Sequence, residues 1–171
     1  MATYGVTASE EPPLREDHPL RAHDNYSESK IEAEALIRAS GVPSAILRIS
    51  AIAVADIVEL PETIPYREDQ RVEFIYVGDA ARALLSAFES PEARGRAYNI
   101  AGGGSWQVTG GEYIRRFYEA LGVEVEPCFS EAYTALDWYD TAPSRLLGYQ
   151  RSTLNGLEAR LRAVGERLGL R

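Results

Sequence analysis

Short apolar runs alternate with helix-forming segments along this 171-residue chain, and that alternation limits its fold more than any other feature. Runs rich in branched and aromatic residues predict strands over 44–50 and 72–77, and segment 97–104 predicts a third strand that runs into a glycine turn. Capping residues and apolar spacing predict helices over 26–39, 79–89, 109–122 and 152–168. Strands that alternate with helices are typical of an α/β fold with a mainly parallel sheet.

The composition argues against several classes of protein. With 26 acidic and 18 basic residues, the net charge is −8, which disfavours a broad cationic surface for nucleic acid or anionic membranes. Cys128 is the only cysteine, so an internal disulfide and a cysteine-based zinc site are excluded. No apolar run approaches the roughly 20 residues that span a bilayer, and the first residues do not resemble a signal peptide. We expect one cytoplasmic domain over 1–171 that holds no metal.

Local patterns predict where the helices begin and which faces they bury. Asn25 is the predicted N-cap of the first helix, with Glu28 in a capping box, and Thr109 and Glu112 form a second box. The polar, proline-containing segment 1–25 predicts a surface loop. In the last helix an apolar stripe is expected to pack on its own domain, with a dimer seam as the alternative. Its members are Leu154, Leu157, Leu161, Val164 and Leu168.

The segment Tyr26-Ser-Glu-Ser-Lys30 opens the first helix and carries the chemistry that the sequence suggests. Spacing of i, i+4 places Tyr26 and Lys30 on one helix face. A nearby ammonium favours the phenolate, so this tyrosine could exchange a proton with a substrate hydroxyl at neutral pH. Lys30 is also the only lysine beside 17 arginines. The five-residue pattern is weak, and by itself it favours an exposed helix with an ordinary tyrosine and lysine.

An ordered series of motifs resembles the C-terminal portion of the extended short-chain dehydrogenase/reductase family, the NAD-dependent epimerases and dehydratases. Tyr4-Gly5 looks like the end of the strand before the active-site loop, and Tyr26 with Lys30 matches the family's YxxxK. Leu47-Arg48 matches the "LR" of the next strand. Three further segments are similar to family motifs: FIYVGDAARA (74–83), YNIAGGG (98–104) and DTAPSRLLGY (140–149).

The resemblance implies a partial Rossmann-like, doubly wound sheet with a small C-terminal α/β region, and an enzyme that uses NAD or NADP. Tyr26 would be the general acid/base, and Lys30 would hold the nicotinamide ribose and lower the pKa of the tyrosine. The backbone near Ile49 would border the nicotinamide, and Arg71 is the candidate for substrate binding. The implied substrate is a small molecule such as a nucleotide sugar. The cofactor carries the hydride, and the protein orients and polarises the reactants.

The sequence also departs from the family's pattern. The Gly-rich loop that places a pyrophosphate at a helix N-terminus is absent, and AGGGS (101–105) predicts a turn instead. The family's catalytic Ser or Thr would fall just before Met1, and neither Thr3 nor Thr7 is in register. The family's diphosphate-binding arginine would align with Val72, one residue from Arg71.

These departures leave two hypotheses open. In the first, the chain is the catalytic and substrate-side portion of an NAD(P)-dependent enzyme, truncated, inactive in isolation and with negligible affinity for NAD(P)H. In the second, it is a non-catalytic binding or assembly module that acts through an oligomer or a partner chain. Loss of half the sheet would leave an open strand edge, so we expect a homodimer or a complementing chain.

Overall fold

Helices and short strands alternate along the computed structural model, which describes residues 1–55 and 60–170. The helices are α1 (Asn25–Ala39), α2 (Val77–Glu89), α3 (Gly110–Leu121) and α4 (Leu154–Leu168). The strands are β1 (Ile46–Ile49), β2 (Ala51–Ala53), β3 (Arg71–Val72), β4 (Phe74–Tyr76), β5 (Ala97–Ile100) and β6 (Val108–Thr109). This order confirms the predicted α/β class and a partial Rossmann-like arrangement.

The strands pair mainly in parallel. β1 pairs with β5, from Ile46 opposite Ala97 to Ile49 opposite Ile100, and β2 pairs with β4. The exception is the short antiparallel ladder of β3 with β6. The predicted strand over 72–77 is therefore divided, because Val72 pairs with Val108 whereas Phe74 pairs with Ala51. α2 begins two residues earlier than expected.

α1 occupies the predicted range, but its cap differs from the prediction. The N-cap is Asp24, not Asn25, and the residue that completes the capping box is Ser27, not Glu28. The Ser27 N–H donates to Asp24 Oδ1 (2.7 Å), and Ser27 Oγ accepts from the Asp24 N–H (3.1 Å). Either aspartate or asparagine can cap a helix, so the sequence pattern alone could not choose between neighbouring positions.

α3 and α4 pack against each other and form one side of the larger core. As predicted, Thr109 caps α3 and Gly122 ends it. The stripe of α4 is buried in its own core at Leu154, Leu157, Leu161 and Val164, whereas Leu168 is exposed. A Cβ on Gly165 would stand 2.1 Å from the Leu121 carbonyl oxygen, so the two helices cross here with almost no space between their backbones.

Segment 1–25 is not simply a surface loop, which corrects the sequence prediction. Residues 2–4 form a 3₁₀ turn, and Tyr4 and Leu14 are both buried. The Leu14 N–H donates to the Trp138 carbonyl, and the Asp140 N–H donates to the Leu14 carbonyl, each at 2.8 Å. These bonds tie the segment to a part of the chain more than 120 residues away, which local composition cannot reveal.

Candidate active site

Tyr26 and Lys30 lie one turn apart at the start of α1, on the face that the sequence predicted. The Lys30 Nζ is 5.3 Å from the centroid of the Tyr26 ring, within the range of a cation–π contact. Both side chains are exposed, Tyr26 at 61%. Solvent and small molecules can therefore reach them, and their acid/base role stays a prediction.

The two residues share a cavity of about 430 Å³ with Ile49. This groove lies between α1 and β1, and its α1 wall also includes Glu34 and Ile37. The structure thus brings together the three residues that the resemblance assigned to cofactor binding, although α1 and β1 are separate elements. A volume of this size is in the range of small-molecule sites.

A buried ion pair joins the two walls of this cavity. Arg48 on β1 donates to Glu34 on α1 through Nη2 to Oε1 (2.6 Å) and Nε to Oε2 (3.1 Å). Burial raises the pKa of the Glu34 carboxyl, but hydrogen bonds from Arg48 and Arg38 outweigh burial and hold that pKa below its ordinary value. The sequence shows that Glu34 lies one helical turn beyond Lys30, but no local pattern identifies Arg48 as the partner of Glu34.

Arg48 also connects the cavity to the interior. Its Nη1 donates to the Tyr4 hydroxyl (2.8 Å) and to the Glu16 carbonyl (2.9 Å), and the Tyr4 hydroxyl donates to Asn99 Oδ1 (2.6 Å). Burial raises the pKa of Tyr4 despite the neighbouring guanidinium. Tyr4 is therefore a neutral hydrogen-bonding residue in this network, not a second acid/base.

Thr3 lines the same cavity as Tyr26, although its position does not match the family's hydroxyl residue. Its Oγ1 is buried and makes no hydrogen bond to any residue within 1–55 or 60–170. The hydroxyl of Thr7 has a partner outside this cavity, because its Oγ1 donates to Asp137 Oδ2 (2.7 Å). Thr3 is thus the one of these two hydroxyls that lies beside Tyr26.

Arg71 lies outside the residues that line this cavity and is held by an ion pair. Its Nε donates to Asp137 Oδ1 (2.6 Å), and its Nη2 donates to Asp137 Oδ2 (3.0 Å) and to the Glu10 carbonyl (2.9 Å). These bonds clamp the loop that leads to α1 against the segment around Asp137. The guanidinium therefore has a structural partner, and its role in substrate binding stays a prediction.

The glycine turn after β5 is tightly packed at Gly102. A Cβ on Gly102 would lie 2.3 Å from the Trp106 ring and 2.4 Å from the Phe74 carbonyl oxygen. The Gly103 N–H already donates a hydrogen bond to the Glu73 carboxyl group (2.8 Å). The interpretation of AGGGS as a turn agrees with this packing. The described residues thus fit the nicotinamide-ribose end of a cofactor better than its pyrophosphate.

A larger cavity, about 730 Å³, lies elsewhere, next to the C-terminal end of α3. It contains none of Tyr26, Lys30, Ile49 and Arg71. We favour the 430 Å³ cavity as the candidate active site, because it is lined by the exposed phenol of Tyr26, the ammonium of Lys30 and the end of β1 at Ile49. Within the described ranges, no group of histidine, cysteine and carboxylate residues could hold a metal ion, and no helix is long and apolar enough to cross a membrane.

Comparisons with known proteins identify the fold. No protein-family model and no curated protein match the sequence. A short-chain dehydrogenase/reductase superfamily protein from Agrobacterium tumefaciens, solved with bound NAD, is 19% identical with a TM-score of 0.78. The UDP-glucuronic acid 4-epimerase from Bacillus cereus, solved with UDP-glucuronic acid and NAD, is 21% identical with a TM-score of 0.75. RMD from Pseudomonas aeruginosa, complexed with NADPH, is 17% identical with a TM-score of 0.76.

The chain therefore has the fold of the short-chain dehydrogenase/reductase superfamily. More narrowly, it corresponds to part of the fold of the NAD-dependent epimerases and dehydratases. The matches cover 99%, 98% and 97% of this chain but only 65%, 59% and 64% of those three proteins, respectively. The chain thus spans less than two thirds of the length of the structures that it matches.

Proposed function

We propose that this chain carries the proton-transferring and substrate-side part of an NAD(P)-dependent epimerase, dehydratase or reductase. The observation that supports it is the shared cavity, in which Tyr26, Lys30 and Ile49 meet on a fold of this class. Because the described residues offer no pyrophosphate site, the chain alone is expected to be inactive and to bind NADH negligibly. A complementing segment would supply the remainder of the nucleotide site.

In this mechanism Tyr26 takes a proton from the substrate hydroxyl or returns one to it. Lys30 would donate hydrogen bonds to a ribose hydroxyl, and it places positive charge beside the phenol. The backbone at Ile49 would border the nicotinamide. When bound, the cofactor supplies or accepts the hydride, and the chain's residues orient the reactants.

A nucleotide sugar is the substrate class that we propose. The support is the fold shared with the UDP-glucuronic acid 4-epimerase, which was solved with that sugar nucleotide. Arg71 is the proposed contact for the diphosphate. Its Nη1 is the donor for this role, because Nε and Nη2 are bound to Asp137 and to backbone carbonyls.

The first test asks whether the chain needs a complementing segment. Titration of the 171-residue chain with NADH, followed by nicotinamide fluorescence, should show no saturable binding. A chimera that adds the unmatched part of the Bacillus cereus epimerase should bind NADH and be assayed with UDP-glucuronic acid. Tight binding by the unmodified chain would contradict the proposed division of the site.

The second test addresses Tyr26 in that chimera. Tyr26→Phe should lower kcat about 10²–10⁴-fold while NADH binding persists, because only the proton transfer is removed. Tyr133→Phe, at another exposed tyrosine, is the matched control and should leave kcat unchanged. Turnover that survives Tyr26→Phe would show that another group moves the proton.

A second candidate function is a non-catalytic assembly module. It is favoured by the exposed apolar side chains of Leu84 and Phe88 on α2, which line a groove beside β1. A chimera that binds NADH but turns over no nucleotide sugar, and whose Tyr26→Phe variant behaves identically, would support this candidate over the enzyme.

A further inference from the structure

Residues 5–23, which we call the entry loop of α1, fold back on themselves around one histidine. At the base of the loop the Arg21 N–H donates to the Thr3 carbonyl (2.9 Å). Further out, the ring of His18 contacts the carboxyl group of Glu10, eight residues earlier in the chain. The side chain of His18 is only 13% exposed and that of Glu10 is 27% exposed. A partly buried imidazole therefore joins the two arms of the loop.

Both nitrogens of the His18 ring face hydrogen-bond acceptors. Nδ1 is 2.9 Å from the Pro19 carbonyl oxygen, and Nε2 is in contact with Glu10 Oε2. A carbonyl oxygen cannot donate a hydrogen bond, and an ionised carboxylate can only accept. A neutral imidazole has a single N–H, so it can satisfy only one of the two oxygens. The geometry therefore requires the doubly protonated ring, the imidazolium.

The carboxyl group of Glu10 could donate to a neutral ring only if it were itself protonated. The hydrogen bond from His18 lowers the pKa of Glu10 most, and burial partly opposes this effect. Arg21 lowers that pKa further, because its Nη1 donates to Glu10 Oε1 (2.6 Å). The net result is a pKa below the ordinary value of 4.5, so Glu10 is an ionised acceptor at neutral pH.

The other ionisable groups around the ring belong to the 3₁₀ turn, to β1 and to the loop itself. The Tyr4 ring meets the imidazole edge-on at 5.5 Å, and the Arg48 guanidinium lies 5.1 Å from the centroid of that tyrosine. Glu16 accepts a backbone N–H of β5 (3.0 Å), and Arg15 and Asp17 form an exposed pair with each other. Among these neighbours, the carboxylate of Glu10 is the counter-charge in direct contact with the ring.

We propose that His18 and Glu10 form a pH-sensitive latch, which closes the entry loop while the ring is an imidazolium and loosens when the ring loses a proton. Histidine is the side chain that changes charge between pH 5 and 8. After deprotonation one ring nitrogen directs a lone pair at an oxygen, so a charge-assisted hydrogen bond is replaced by repulsion. The latch is closed in mildly acidic solution and loosens as the pH rises. Protonation of Glu10, well below pH 4.5, removes the counter-charge and opens it again.

The anchors of the loop determine which part the latch releases. The Glu10 carbonyl accepts from Arg71 Nη2 (2.9 Å), and the Glu16 carbonyl accepts from Arg48 Nη1 (2.9 Å). These bonds do not involve the imidazole, so they persist when the latch loosens. The arm from residue 17 to residue 21, which leads towards α1, is held by the latch and by the bond at the base of the loop. We therefore expect this arm to become mobile as the pH rises.

Nuclear magnetic resonance of the histidine rings reads the state of the latch in the full chain. The sequence has two histidines, so a ¹⁵N-histidine sample gives two sets of ring signals, and His23→Gln leaves only those of His18. At pH 6 both ring nitrogens of His18 should carry a proton, and at pH 9 only one of them should. A His18 ring with one unprotonated nitrogen at pH 6 would overturn the proposal.

Amide hydrogen exchange tests whether the ring holds the loop. The reporters are the N–H of His18, bound to the Arg15 carbonyl (3.1 Å), and the N–H of Arg21 at the base. After correction for the intrinsic exchange rate, their protection should fall about 10-fold or more between pH 6 and pH 8. Glu10→Gln should abolish this fall, because a carboxamide can accept from the imidazolium and donate to the neutral ring.

Two histidine variants assign the effect to the ring. His18→Gln should give low protection at both pH values, whereas His23→Gln should keep the full fall. The Met1 ammonium, whose pKa is lowered to about 6 by burial, titrates in the same range but is unchanged in both variants. A fall that survives in His18→Gln, or is lost in His23→Gln, would overturn the proposal. The amide of Leu157 in α4 is the reference for intact folding. No cofactor is involved, so the result is separate from the fate of the proposed enzyme.

Discussion

Arg48 on β1 holds Glu34 on α1 in a two-pronged ion pair, one helical turn beyond Lys30. Tyr26, Lys30 and Glu34 follow one another at intervals of four residues, so the pair anchors the same helix face that carries the candidate acid/base. Arg48 directly precedes Ile49 in β1. One buried contact thus sets the distance between the two walls of the cavity.

Removal of one partner of this pair should destabilise the chain. Glu34→Gln leaves the Arg48 guanidinium buried without its counter-charge, and the expected loss in unfolding free energy is about 3 kcal/mol. Urea denaturation measures it. Glu68→Gln breaks the exposed pair with Arg115 and is the control, for which the change should be close to zero. Equal losses in the two variants would show that burial of the pair is unimportant.

The same pair makes stability depend on pH. The pKa of Glu34 is lowered in the folded chain, so its contribution is fully present above the ordinary value of 4.5. That contribution is lost as the pH falls from there through the lower, folded-state pKa. The gap in unfolding free energy between the parent and Glu34→Gln should therefore be largest near pH 7 and should narrow towards pH 3. A gap that is constant over this range would contradict the assignment.

Substitution by alanine should have opposite effects on the stability of the chain at two glycines of α4. At Gly165 the added methyl would meet the Leu121 carbonyl at 2.1 Å and force α3 and α4 apart, at a cost of about 2 kcal/mol or more. At Gly156 the nearest atom is Thr153 Oγ1 at 3.5 Å, an ordinary contact. Gly156→Ala should gain up to about 1 kcal/mol from helix propensity. Thermal unfolding of the two variants side by side tests the packing.

The single lysine provides a direct probe of the candidate site. Lysine labelled with ¹³C should give one ε-methylene signal from Lys30, shifted by the Tyr26 ring near its ammonium. Tyr26→Leu should remove that shift, whereas Tyr133→Leu should not change it. If the signal is the same in all three proteins, the ring and the ammonium are not in contact in solution.

Features that depend on near neighbours were predictable from the sequence. The α/β order, the cap at Thr109, the end of α3 at Gly122 and the buried stripe of α4 all follow from patterns within a few residues. The i, i+4 placement of Tyr26 and Lys30 belongs to the same class, because one helical turn defines it. Such patterns act through backbone geometry that is the same in every helix and strand.

Tertiary structure alone decided which distant residues meet. The Arg48–Glu34 pair joins residues 14 apart, and the Arg71–Asp137 clamp joins residues 66 apart. The division of 72–77 between two ladders, the burial of Tyr4 and the shared cavity of α1 with β1 arise in the same way. Each depends on which surfaces pack together once the elements exist, and a local pattern carries no information about a partner that far along the chain.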